Sequence, residues 1–112
     1  MELQESLEGE VVVLVPQGRL NSTTSPRLGA RLDQLAAAPN GRLVLDLASV
    51  DFISSAGLRV ILSAAKQARM ARGLLVLCAV QPPVQEIFDI SGFTALLSIH
   101  PRRENALQEL GA

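Results

Sequence analysis

The chain has no tryptophan and no tyrosine, one cysteine, one histidine and three phenylalanines among 112 residues. Each scarcity closes off a class of function. Cys78 has no partner for a disulfide, and with His100 as the one histidine no Cys/His group has metal-ligand spacing. Ten Lys and Arg stand against eleven Asp and Glu, so there is no basic excess of the kind that binds nucleic acid or acidic membranes. The longest apolar runs, VVVLV and LLVLCAV, fall far short of the ~18 residues that a membrane-spanning helix needs. The acidic, polar start MELQESLEGE is no secretory signal, and the chain reads as cytoplasmic.

Catalytic signatures are missing as well. No GxxxxGK[ST] loop is present to cradle a phosphate, no GxGxxG follows the first strand, and no G-x-S-x-G elbow presents a serine. A nucleophile at Ser55 needs a general base, and the near carboxylates in sequence, Asp46 and Asp51, rarely activate a serine alone. The expectation is a protein that is not an enzyme and holds no cofactor.

What is present is a regular alternation. Val11–Val15 is apolar and β-branched, broken or bent by Pro16 and Gly18 before Leu20. Ser25 and Pro26 suit the N-cap and first position of a helix whose Leu28, Leu32 and Leu35 share one stripe. Leu43–Leu47 reads as a strand. A helix from about Ser55 to Arg72 buries Leu58, Ile61, Leu62, Ala65 and Ala68, turns Arg59, Lys66, Arg69 and Arg72 outward, and stops at Gly73. Leu74–Val80 is the next strand, with Cys78 as an inert core thiol. Helices from Pro82 and from about Arg102 flank a weaker strand over Leu96–Ile99. The order β-α-β-α-β-α-β-α predicts one α/β domain over residues 1–112, with a mostly parallel central sheet and about four helices. Phe88 and Phe93 are assigned to packing, Ile87 and Phe93 as possible apolar surface, and His100 to a strand end.

One junction stands out. In VDFISSAGLRVILSAAKQARMARG a strand hands over to the long helix through Ser54, Ser55, Ala56 and Gly57. Either serine can cap the helix, which is the plain structural reading. A phosphate on one of them would be tolerated there by the helix dipole and the free N–H groups, while placing about −1.5 to −2 charges on the surface.

The stretch LVLDLASVDFISSAGLRVILSAAKQAR resembles the signature of the STAS domain, and more narrowly that of bacterial anti-sigma factor antagonists. The loop GRLNSTTSPRL and the segment VQPPVQEIFDISGFTALLSIHPRRENAL extend the resemblance over nearly the whole chain. It implies a non-catalytic protein that binds an anti-sigma factor with serine kinase activity and so releases a sigma factor. Phosphorylation by that kinase breaks the complex, and a metal-dependent phosphatase of the PP2C type restores it. ATP and metal belong to the partners. The resemblance puts the phosphorylated residue on Ser55, with Ser54 as a competing acceptor, and the partner-binding surface on Asn21, Ser22, Thr23, Ser54, Ser55, Ala56, Gly57 and Arg59. Two residues depart from the family pattern: Ser54 and Asn21 stand where many relatives carry Asp. The alternatives are an unphosphorylated docking subunit of a bacterial lipid-transport ATPase complex and a small-ligand or nucleotide-binding regulatory domain. Free in solution the protein is expected to be a monomer, with no nucleic-acid partner and no direct insertion into membranes.

Overall fold

The computed structural model of the protein describes all of residues 1–112. Its sheet is built from β1 (Glu2–Glu8), β2 (Val11–Leu20), β3 (Arg42–Asp46), β4 (Val50–Ile53), β5 (Leu74–Cys78) and β6 (Ser98–His100). The helices are α1 (Ser25–Ala36), α2 (Ser55–Met70), α3 (Pro82–Ile90) and α4 (Arg103–Glu109), with a 3-10 turn at Phe93–Leu96. The strands run in the order β1-β2-β3-β5-β6, and β4 pairs with the far end of β2. Every pairing is parallel except that of β1 with β2.

Alternation along the strands sends side chains to opposite faces of the sheet. On one face, Leu14, Leu43, Leu45, Leu75 and Leu77 meet apolar stripes of α1, α2 and α3 in the larger core, where Phe88 is fully buried. On the other, Val11, Val13, Val44, Val76 and Cys78 are covered by Ala106 and Leu110 at the C-terminal helix. Arg103 ties α4 down through Asp46, at 2.9 Å, and the Arg42 guanidinium donates to the Leu110 carbonyl. Glu109 accepts from Ser98 and pairs with His100, and these hydrogen bonds hold its carboxyl below the usual range.

Several expectations need correction. β1 was not legible: only Leu3 of its sequence is even partly buried against the core, and Leu7 is exposed. β2 does not stop at Pro16. That proline comes after the ladder with β3 has ended at Leu14, where its missing N–H costs no bond to that neighbour. At Gly18/Arg19 the register shifts and β2 takes β4 as its partner. Thr24, not Ser25, occupies the N-cap position of α1, and the Ser25 hydroxyl is buried with no partner. The strand expected over Leu96–Ile99 is a 3-10 turn followed by β6, displaced toward His100. Leu62 and Ala65 are half-buried, with Ala64 taking the core position. Arg72 itself adopts the left-handed conformation after α2. Gly73 is required because a Cβ there would strike the backbone of Gly41.

Candidate functional site

Two helix N-termini meet at one end of the sheet, because the adjacent strands β2 and β4 stop in register. Leu20 lies beside Ile53, and the Ser54 N–H donates to the Leu20 carbonyl at 2.8 Å. The Asn21 loop and the Ser54–Gly57 turn are therefore neighbours. Of the partner-surface residues expected from sequence, Asn21, Ser22 and Thr23 enter on the first segment; Ser54, Ser55, Ala56, Gly57 and Arg59 enter on the second.

The Asn21 side chain organises its own loop. Its Oδ1 accepts the backbone N–H groups of Thr23 at 2.9 Å and Thr24 at 3.0 Å. The Thr24 hydroxyl donates to the Arg19 carbonyl at 2.6 Å and accepts the Asn21 N–H at 3.0 Å. Such a side-chain turn satisfies the backbone just ahead of α1 without any charge. Only the acceptor oxygen of Asn21 is used in these contacts. Ser22 and Thr23 are exposed at its crest.

The two serines divide their work. Ser54 has extended backbone and caps α2, its Oγ accepting from the Gly57 N–H at 3.4 Å, a long and therefore weak contact. Ser55 is the first residue of the helix, exposed, with its hydroxyl turned to no partner in the protein. Gly57 brings the helix onto the strand ends: a Cβ there would lie 2.7 Å from Ile53 Cγ1 and 3.2 Å from the Leu20 carbonyl oxygen. Arg59 is exposed one turn beyond Ser55 on the same side of α2.

Two rim residues were not picked out in the sequence. Arg19 and Phe52 are register partners one step before Leu20 and Ile53, and the Arg19 guanidinium lies 4.2 Å from the centre of the exposed Phe52 ring. The signal available was the matching position of each residue, just ahead of a strand's last residue, but the pairing of β2 with β4 is needed to see it.

No base is supplied to Ser55 by Asp46, whose carboxylate is buried and engaged by Arg103 and by the Ala48 N–H. Burial, and then the nearby Asp46 charge, push the Cys78 thiol up to about 12. No group of three or more His, Cys, Asp or Glu side chains converges as a metal site. No helix is long and apolar enough to cross a membrane.

Residues 4–106 match the STAS domain family. BtrV of Bordetella bronchiseptica, provisionally named an anti-sigma factor antagonist, is 42% identical over 102 residues, covering 91% of this chain and 87% of that protein. The anti-sigma F factor antagonist of Paenibacillus polymyxa is 33% identical over 113 residues, covering 98% and 97%. Among solved structures, the anti-sigma factor antagonist SpoIIAA in its unphosphorylated form superposes with a TM-score of 0.78 at 17% identity, covering 97% of this chain and 96% of that one. The phosphorylated form of SpoIIAA, from Bacillus, gives 0.71 at 16% identity, covering 97% and 99%. An α/β sheet whose adjacent strands deliver two helix starts to one edge, together with relatives at these identities, makes the chain a member of the STAS domain family, among the anti-sigma factor antagonists.

Proposed function

We infer that this protein is the switchable, non-catalytic member of a cytoplasmic partner-switching pathway. Unmodified, it binds an anti-sigma factor that is also a serine kinase, and a sigma factor is released. The observation that carries this reading is the division of labour at the junction: Ser54 is spent on the helix cap, and the Ser55 hydroxyl is exposed and unused. In the modifying step the Ser55 oxygen attacks the γ-phosphorus of the kinase's ATP. ADP leaves, the hydroxyl proton passes to a base of the kinase, and a phosphoserine remains. Because Ser55 sits at the start of α2, the dianion meets the positive end of the helix and the fold survives. The partner fares differently, since an unpaired charge buried in its interface costs about 2–5 kcal/mol. A PP2C-type phosphatase would reset the switch by hydrolysing the ester.

The partner-facing surface in this reading is Asn21–Thr23, Ser54–Gly57 and Arg59. With Asn21 and Ser54 replacing two carboxylates, it is less negative than the family pattern, which would select a kinase that does not require them. The test is intact and peptide mass spectrometry of protein from its native cells, before and after phosphatase, joined to calorimetry of each form with the kinase. A phosphatase-sensitive phosphate on Ser55 and tight binding of the unmodified form alone are expected. A phosphate confined to Ser54 would reassign the acceptor. Full binding by a protein phosphorylated on Ser55 would overturn the switch.

A further inference from the structure

The long helix carries a second feature that the Ser55 switch does not use. Residues 55, 59, 62, 66 and 69 recur at i, i+4, i+7, i+11 and i+14, so they share one stripe along the 16 residues of α2. The stripe reads Ser55, Arg59, Leu62, Lys66, Arg69. Arg59, Lys66 and Arg69 are exposed, and none of them takes part in any of the ion pairs of the protein. α2 holds no Asp or Glu at all, although acidic residues outnumber basic ones over the whole chain. Charge is thus segregated onto this helix.

Beside the lower half of the stripe lies a groove of about 120 Å³, lined by Leu62, Ala65, Lys66, Arg69 and Leu96. Leu96 comes from the 3-10 turn and is 52% exposed, so its side chain forms an apolar edge of the groove. The groove is somewhat smaller than the ~150 Å³ cavity that accepts a benzene ring, so it has room for one aliphatic side chain. Its floor is apolar and its helix wall bears two cations.

We propose that this groove docks an acidic segment of the anti-sigma factor partner, one apolar side chain entering between Leu62 and Leu96 with carboxylates set against Lys66 and Arg69. The docking surface then runs the length of α2, from the Ser55 switch at one end to an anchor at the other. Charge selects the occupant. Three unpaired cations on a helix without carboxylates complement an acidic peptide, whereas a net charge of −1 for the whole chain disfavours a polyanion such as DNA or an anionic bilayer. The inference rests on the partner-switching reading for the identity of the partner, but not on which serine is modified.

Lys66 is the only lysine in the chain, which gives a direct test. The complex of the full-length protein with the kinase is treated with a water-soluble carbodiimide, which activates a carboxylate. The Lys66 amine then forms an amide, and the carbodiimide departs as its urea. A crosslinked peptide joining Lys66 to an Asp or Glu of the partner is expected, and Lys66→Arg, which keeps the charge but has no amine to acylate, should lose it. In calorimetry, K66E/R69E and Leu96→Asp should each bind at least about tenfold more weakly with an unchanged thermal melt, and reversing the crosslinked carboxylate should restore K66E/R69E. Near-wild-type affinity of both variants, with Ser55→Glu still blocking, would overturn the groove and leave the switch standing. Failure of the wild type to bind the kinase would overturn both. Binding of single-stranded DNA or phosphatidylglycerol vesicles by the wild type, lost in K66E/R69E, would assign the stripe to a polyanion instead.

Discussion

The two helices that start side by side at the sheet edge are held in opposite ways. Ahead of α1, the Asn21 and Thr24 side chains bind three backbone N–H groups and the Arg19 carbonyl, at distances from 2.6 to 3.0 Å. Ahead of α2, one serine oxygen accepts one N–H at 3.4 Å. The first start is a closed turn whose Asn21 and Thr24 side chains are already engaged, and its exposed hydroxyls, Ser22 and Thr23, stand ahead of the helix rather than at its first residue. The second leaves an exposed hydroxyl and under-used donors on a helix pinned from below by Gly57. A site that must accept a phosphate without unfolding is better built on a tightly packed helix with a lightly used cap than on a fully bonded turn.

The strongest way to break the comparison is to put charge on the open start. Ser55→Glu should lower affinity for the kinase by about 30-fold to several-thousand-fold, from the ~2–5 kcal/mol cost of an unpaired interfacial charge. Glutamate at Ser22, on the closed side, should have a smaller effect. Calorimetry with both variants measures the difference, and both should melt like the wild type.

Next in size is the support beneath the open start. Gly57→Ala places a methyl 2.7 Å from Ile53 Cγ1 and 3.1 Å from Leu20 Cβ, so the helix must lift from the strand ends. Overpacking of this kind costs about 1–3 kcal/mol, readable in urea unfolding. Displacement of α2 should also weaken partner binding beyond the loss of stability.

A pair of substitutions then compares the starts directly. Asn21→Ala strips the acceptor from two backbone N–H groups and should cost about 1–2 kcal/mol, while Asn21→Asp keeps the acceptor and most of the stability. Ser54→Ala removes one long contact and should cost about 0.5–1 kcal/mol. If Ser54→Ala proves the more damaging, the contrast between a closed and an open start is wrong.

Sequence pattern made the core legible where burial imposes a period. The stripe Leu28, Leu32 and the runs at Leu43 and Leu75 carry that period, and the structure buries them in the larger core. It failed where burial is slight, as along β1, whose glutamates and exposed Leu7 carry no alternation to read. At the site, chain proximity revealed Ser54 to Arg59, because the strand–turn–helix is continuous. It could not reveal that Asn21 lies beside them, or that Arg19 covers Phe52, because those neighbours depend on β2 changing partner at Gly18/Arg19. The resemblance to a family supplied the Asn21 loop before geometry did. Nor could spacing tell which serine caps: both stand at the start of the helix, and only the backbone decides.

The smallest effect expected has the opposite sign. Ser25 and Ser54 each stand next to a helix start, and both looked like caps in sequence. Ser54 does cap, but Ser25 falls one residue inside its helix, where its hydroxyl is 1% exposed and meets no acceptor or donor. A buried hydroxyl without a partner carries its desolvation penalty for no return. Ser25→Ala should therefore leave stability unchanged or raise it by up to about 1 kcal/mol, since alanine also has the better helix propensity. Urea unfolding of S25A beside S54A makes the comparison at matched chemistry, one hydroxyl deleted in each. A gain at one and a loss at the other would separate a serine that is packing from a serine that is holding a helix. A loss of 1 kcal/mol or more in S25A would mean that the hydroxyl finds a partner in solution and that the start of α1 is tied more tightly still.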